Sequence, residues 1–150
     1  INVVSVSVPV AVVGNSAAQT MNTNTGATNS FYDGFAFCNA NQLYVGGFYR
    51  ITNNGNVAAA TLTANSSAPL SNGAGQTIPF TEIRWVSSGN SDSGAQPFPS
   101  GTFSGSATQS IGSISRNQWA ESCMTFSYLN TSVPAAGAYT GRVTYTLTAP

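Results

Sequence analysis

The chain contains no histidine and no lysine, and only 5% of its 150 residues are charged. Soluble domains average about a quarter charged residues. The general bases and Schiff-base nucleophiles that enzymes use most often are therefore missing. The acidic residues Asp33, Glu82, Asp92 and Glu121 are isolated in sequence, and nothing pairs two of them as glycoside hydrolysis requires. The sequence predicts a protein that is not an enzyme and binds no cofactor.

Positive charge is equally scarce. Net charge is +0, and the basic residues are Arg50, Arg84, Arg116 and Arg142, which are far apart in sequence. Binding to nucleic acid needs a clustered cationic face that displaces counterions. A membrane-spanning helix needs about 20 consecutive apolar residues, and no run approaches that length. We expect neither a nucleic-acid partner nor membrane insertion.

Cysteine is also rare, with only Cys38 and Cys123 present. Two cysteines without histidine are too few for a zinc site, so no metal is predicted. An even count in a chain rich in serine and threonine favours one disulfide in an oxidising compartment, although two buried thiols are the alternative. The chain starts at Ile1 rather than at methionine, which we interpret as a mature exported protein.

The composition that remains is typical of a β protein. Hydrophobic residues make up 41% and aromatic residues 11%, which is too much apolar surface for a disordered chain. Short alternating runs separated by Asn, Gly, Ser and Pro predict an immunoglobulin-like antiparallel β-sandwich without helices. The clearest predicted strands are residues 31–38, 43–52, 57–64, 77–87, 119–129 and 139–149.

Aromatic residues are concentrated in two neighbouring predicted strands. They are Phe31, Tyr32, Phe35, Phe37, Tyr44, Phe48 and Tyr49. They suit either the core of a sandwich, which we favour, or a carbohydrate-stacking surface. Gly46 and Gly47 lie within the second strand. The strand is either regular there or contains a bulge at these two glycines.

The N-terminal segment has the most regular pattern in the chain. Valine occupies every even position from 4 to 12, namely Val4, Val6, Val8, Val10 and Val12. Alternate residues of a strand project to one face, so the five valines form one apolar row. Pro9 cannot donate a ladder hydrogen bond, which favours an edge position. We assign residues 1–14 to this strand, 15–30 to a polar hinge or linker, and 31–150 to the sandwich domain.

Two interpretations of this strand remain open at this point. In the first, it is the first strand of a complete sandwich and folds back on its own domain. In the second, the valine row fills a groove of another subunit, as in donor-strand complementation.

The C-terminal strand carries a resemblance to a known family. Val143, Tyr145 and Leu147 share one predicted core face, and threonines alternate with them. Residues 136–148, with Gly137, Tyr139 and Gly141, resemble the last strand of chaperone–usher pilins of the archaic and alternate branches. The N-terminal valine row is similar to the donor strand of that family. The chain differs in ending with Ala149 and Pro150, and in its wide cysteine spacing.

The resemblance implies an incomplete sandwich in which Val4, Val6, Val8, Val10 and Val12 are the plug residues for a neighbouring identical subunit. It also implies a periplasmic chaperone and an outer-membrane usher as partners during assembly. We therefore expect a structural subunit of an extracellular pilus or fibre on the cell surface, which serves adhesion and biofilm formation. The alternative is a self-contained β-sandwich module that binds a glycan or protein receptor.

Asn65 and Asn130 begin glycosylation sequons, which are common by chance in such a chain.

Overall fold

The computed structural model describes residues 4–52 and 55–150, and this part of the chain is built from short β-strands. Its only helical elements are two 3₁₀ turns, at Val10–Val12 and Phe80–Glu82. The strands are β1 (Val4–Val8), β2 (Gln19–Thr20), β3 (Thr28–Asn29), β4 (Ala36–Cys38), β5 (Leu43–Tyr49), β6 (Ala60–Asn65), β7 (Leu70–Ser71), β8 (Thr77–Ile78), β9 (Ile83–Ser88), β10 (Gly101–Thr102), β11 (Gln109–Ile114), β12 (Gln118–Tyr128), β13 (Gly137–Gly141) and β14 (Thr144–Thr148). The all-β prediction is confirmed.

The strands form several sheets, and the recorded pairings are antiparallel. In the largest sheet β12 lies centrally and pairs with β9, β5 and the short β2, while β10 extends β9. A second sheet has the order β11–β6–β14, and a third has the order β1–β13–β7–β8. β3 and β4 form a small ribbon. This arrangement is consistent with a β-sandwich.

The central strand β12 is buried on both faces. Met124, Phe126 and Tyr128 project into the main core together with residues of the other sheets. The odd positions Glu121 and Cys123 are also buried, but on the opposite face of the strand. The alternation predicted for this strand is therefore confirmed, but the face that was predicted to be exposed to solvent is buried.

Cys38 and Cys123 form a disulfide, as the sequence predicts. The bond joins β4 to β12 across a Cα–Cα distance of 5.3 Å and a sequence separation of 85 residues. Phe37 and the two cysteines form a small apolar cluster there. In the chain-entropy model, closing a loop of this size removes about 4–5 kcal/mol of unfolded-state entropy. The disulfide therefore anchors the outer ribbon to the large sheet.

The segment 15–30, which the sequence suggests is a polar hinge, packs on the domain in this structure. Met21 and Thr23 are completely buried, and Ser30 is nearly so. The backbone amide of Met21 donates to the carbonyl of Phe126 in β12, which extends the pairing that β2 begins. The sequence does not predict this packing, because backbone hydrogen bonds such as that of Met21 leave no pattern in the side chains.

The aromatic run differs from its prediction in two ways. Residues 31–35 form a turn rather than a strand, and Phe31, Tyr32 and Phe35 are exposed. The prediction that these residues belong to the core is wrong, because Ser30 and Asp33 cap the turn through their side-chain oxygens. Such local bonds compete with a strand.

The second aromatic strand, β5, contains no bulge. It pairs with β12 in a continuous register from Leu43 to Tyr49. Tyr49 consequently faces the main core, whereas Tyr44 and Phe48 lie on the opposite face.

Candidate binding groove

Two strands on the same side of the molecule each have one edge without a partner among the described residues. β14 pairs with β6 along one edge, and β5 pairs with β12 along one edge. No pairing is recorded for the other edge of either strand in the described ranges. Unpaired edges expose backbone N–H and C=O groups that can accept another strand.

An apolar groove of about 520 Å³ lies between these two edges. Leu43, Val45, Leu62 and Phe126 supply apolar lining from the core side. Val143, Tyr145 and Leu147, the predicted core face of the last strand, line the groove from β14 and the residues before it. A concave, mostly apolar cleft beside free backbone groups is suited to an extended peptide.

β1 lies antiparallel to β13, and its first residue lies at one end of this groove. It pairs with β13 so that Val4 is opposite Gly141 and Val8 is opposite Gly137. The strand is thus hydrogen-bonded within its own chain, as the first of the two interpretations expects. Val4 itself lines one end of the groove. β14 begins at Thr144, just beyond the last residue of β13 that β1 covers.

The five valines divide into two groups. Val4, Val6 and Val8 are at most 6% exposed and belong to the main core. Val10 is 82% exposed, and Val12 is only half-buried. Pro9 ends the strand, and the chain turns into the 3₁₀ segment Val10–Val12. Within its own chain, the strand therefore uses only part of its apolar row.

The three predicted residues of the C-terminal strand are less buried than a core face requires. Val143 and Tyr145 are half-buried against the main core, and Leu147 remains 40% exposed. Burial raises the pKa of the Tyr145 hydroxyl above its usual value, and that hydroxyl donates to the sulfur of Met124 at 3.7 Å. The threonines 144, 146 and 148 face solvent. The predicted alternation is present, but its apolar face lines an open groove.

Asn130 holds the chain where it leaves β1. Its completely buried side chain donates to the carbonyls of Val12 and Ala17 and to Oδ1 of Asn15, at 2.5, 3.3 and 2.7 Å. Its Oδ1 accepts from the backbone amide of Gly14 at 2.9 Å. Its own backbone adopts a φ of 60°, a conformation that asparagine tolerates better than most residues. A carbohydrate on this sequon is incompatible with the folded packing, whereas Asn65 is exposed.

A buried carboxylate lies behind the groove on the outer face of β12. Glu121 is 1% exposed and accepts hydrogen bonds from the hydroxyls of Ser30 and Tyr44, at 2.9 and 2.7 Å. Burial, together with the hydrogen bond to Glu121, raises the pKa of the Tyr44 phenol. Because Ser30 is bound in this way, Glu121 fixes the start of the exposed aromatic turn.

Sequence reasoning did not find Asn130 or Glu121 as organising residues. Asn130 stands two positions after a buried tyrosine at the end of β12, and such an Asn-Thr-Ser stretch usually indicates only a turn. Glu121 stands at an odd position of β12, on the face that the alternation assigned to solvent. Each contacts residues more than 75 positions away in sequence, so no local signal predicts the contact.

Comparisons with protein-family models, curated protein sequences and solved structures find no match to this chain. Over residues 4–52 and 55–150, no helix is both long and apolar enough to cross a membrane.

Proposed function

We propose that this chain is the structural subunit of an extracellular filament, in which the N-terminal strand of one copy occupies the groove of the next. The observation that supports this proposal best is the apolar groove along the free edge of β14. It continues the line of β13, on which β1 already lies. The proposed sandwich is immunoglobulin-like, and its C-terminal strand pair is the acceptor.

A change of register lets one strand cover both halves of this acceptor. In its own chain, β1 has Val4 opposite Gly141. A donor strand shifted by about four residues places Val4 opposite Tyr145, Val8 opposite Gly141 and Val12 opposite Gly137. An even shift keeps every valine on the same face of the sheet, because side chains alternate with a period of two. The whole valine row is then available for burial.

Burial energy favours this longer pairing. Val10 is 82% exposed when the strand stays in its own chain, and burying one valine contributes about 1.5–3 kcal/mol. The additional backbone bonds to β14 contribute as well. Val10–Val12 already form an ordered 3₁₀ turn in the chain's own fold, so pairing them as a strand adds little to the ordering cost. Burial of Val10 and the added backbone bonds are therefore the terms that favour exchange.

The family resemblance extends this proposal to assembly and location. A subunit whose groove awaits a strand exposes apolar surface before it polymerises, which favours a chaperone that covers the groove. A periplasmic chaperone and an outer-membrane usher are the partners that the resemblance implies, and the cell surface is the implied destination. Adhesion and biofilm formation are the roles that such a fibre would serve.

A self-contained module is the second candidate function, and one specific observation favours it. β1 already lies in its own sheet with Val4, Val6 and Val8 buried. In this alternative the groove and the exposed aromatic turn serve receptor binding rather than assembly.

Engineered cysteine pairs distinguish the two candidates. Ser5 is opposite Thr140 in the observed register, and in the shifted register it is opposite Thr144. We expect Ser5→Cys/Thr144→Cys to give a ladder of covalent oligomers on non-reducing gels, while Ser5→Cys/Thr140→Cys closes within one chain. The corresponding single-cysteine variants control for non-specific oxidation. A Ser5→Cys/Thr144→Cys protein that stays monomeric under conditions where the other pair closes would overturn the filament proposal.

A further inference from the structure

A shelf of aromatic rings lies on the outer face of β5 and β12, and none of its three residues lines the groove. The aromatic shelf consists of Tyr32, Phe48 and Trp119. Tyr32 is 65% exposed and Phe48 47% exposed. The ring of Tyr32 stacks on Trp119 with a centroid distance of 5.5 Å and an interplanar angle of 28°. Phe48 lies 6.2 Å from the same indole at 36°.

The shelf is held in place before any ligand arrives. Phe48 and Trp119 are directly opposite each other in the β5–β12 ladder. Tyr32 is positioned by the turn that starts at Ser30, whose hydroxyl accepts from the Tyr32 amide and donates to the buried Glu121. Preorganised rings lose little conformational entropy on binding. Exposed aromatic residues fixed in this way are costly unless they have a partner.

One end of the shelf leads into a pocket with two arginines. The pocket measures about 420 Å³ and is lined by Phe48, Arg50, Ile51, Thr52, Arg116 and Asn117. Arg50 directly follows the end of β5 and lines the same pocket as Phe48. Arg116 comes from the turn before β12, where its Nη1 donates to the carbonyl of Gly55 at 3.3 Å. Among the described residues, the lining contains two of the four basic residues of the chain and no acidic residue.

We propose that the aromatic shelf and the two-arginine pocket together bind an anionic glycan, with carboxylate-bearing sugars such as uronic acids as the ligand class. Sugar rings present C–H faces that pack on aromatic rings. A guanidinium group binds a carboxylate through two parallel hydrogen bonds. Phe48 belongs both to the shelf and to the lining of the pocket, so a chain of sugars on the rings can place an acidic unit beside the arginines.

The charge distribution argues against other partners for this surface. A nucleic acid presents a phosphate at every nucleotide and needs a row of cations, whereas this chain has a net charge of +0. A second copy of the chain offers Asp33 as its one exposed acidic side chain, because Glu82 and Asp92 are half-buried and Glu121 is buried. Neither partner suits a pocket lined by two arginines as well as a polyuronate does.

Titration with an oligogalacturonate tests the proposal, with intrinsic tryptophan fluorescence and calorimetry as readouts. Trp119 is half-buried beneath Tyr32, whereas the other tryptophan, Trp85, is 4% exposed in the core. We expect saturable binding that changes the Trp119 emission. Methyl esterification of the same oligosaccharide removes its charge, and we expect a loss of affinity of at least about tenfold, because the charge-assisted hydrogen bonds to the guanidinium groups are lost.

Variants assign the binding to this surface. We expect Arg50→Gln and Arg116→Gln each to weaken binding about tenfold, and Tyr32→Ala to weaken binding of the charged and the esterified oligosaccharide alike. Arg84→Gln is the matched control, because Arg84 is exposed on β9 and does not line the pocket. The proposal is overturned by absence of saturable binding, by equal affinity for the esterified form, or by equal losses in Arg84→Gln. Tighter binding of a single-stranded oligonucleotide than of the oligogalacturonate would also overturn it.

Discussion

β13 and β14 are consecutive strands that each carry a tyrosine beside threonine, but their edges are covered differently. β13 is covered along its outer edge by β1, and its Tyr139 is completely buried. β14 has no partner along the corresponding edge in the part of the chain that the structure describes, and its Leu147 is 40% exposed. Both strands alternate apolar residues with small polar ones. The neighbouring strand, rather than the alternation itself, decides how deeply an apolar side chain is buried.

The valine row shows the same contrast within a single segment. Its first three members lie beside β13 and are buried, whereas Val10 lies beyond the covered edge and is exposed. The side-chain chemistry is identical at these positions. In the proposed filament, the exposed Val10 of one subunit is buried in the open groove of another.

Alanine substitutions in the two C-terminal strands should give the largest difference in stability between them. Tyr139→Ala removes a buried ring whose hydroxyl donates to the carbonyl of Ala135 at 2.6 Å, and we expect a loss of about 3–5 kcal/mol in the free energy of unfolding. Leu147→Ala should cost under about 1.5 kcal/mol in the monomer, because the side chain is already partly solvated. Urea denaturation of the two variants under identical conditions measures both. Equal losses would show that both edges are equally covered in solution.

Asn130→Ala tests what keeps the edge of β13 covered. The variant leaves partly buried backbone groups of Val12, Gly14 and Ala17 without their partner, so we expect a loss of about 1–3 kcal/mol in the free energy of unfolding. We also expect faster amide hydrogen exchange in Val4–Val8, since the chain that follows β1 is no longer held. Asn65→Ala is the matched control, because the Asn65 side chain is exposed and, among the described residues, its hydrogen bonds go to nearby Ser67. Unchanged exchange in β1 would contradict a holding role for Asn130.

Val6→Ala and Val10→Ala compare a buried and an exposed valine of the N-terminal segment. Removing the equivalent of two buried methylenes at Val6 should cost about 1.6 kcal/mol, whereas Val10→Ala should change the monomer by less than about 0.5 kcal/mol. Filament formation, followed by light scattering or electron microscopy, should be weakened by both. If Val10→Ala assembles as well as the parent chain, the shifted register is wrong.

Local sequence patterns predicted the elements that depend on local chemistry. The strand around Met124, Phe126 and Tyr128 was predicted within a residue or two, because its period of two is long and uninterrupted. The disulfide was predicted from the even cysteine count and the composition. By contrast, the turn at residues 31–35 was predicted as strand, since its aromatic content outweighed the capping by Ser30 and Asp33. A groove was anticipated through the second interpretation of the valine row and through the family resemblance, and no local pattern located it.

By itself, the sequence determined an all-β chain, a single disulfide and two apolar rows, one at each end, because alternation and composition act over a few residues. Only the tertiary structure decided which edge each row meets, which aromatic rings remain exposed, and which asparagine holds the chain after β1. Those outcomes depend on contacts between residues tens of positions apart in sequence. Such contacts depend on how sheets close around a core, and no short pattern encodes that closure.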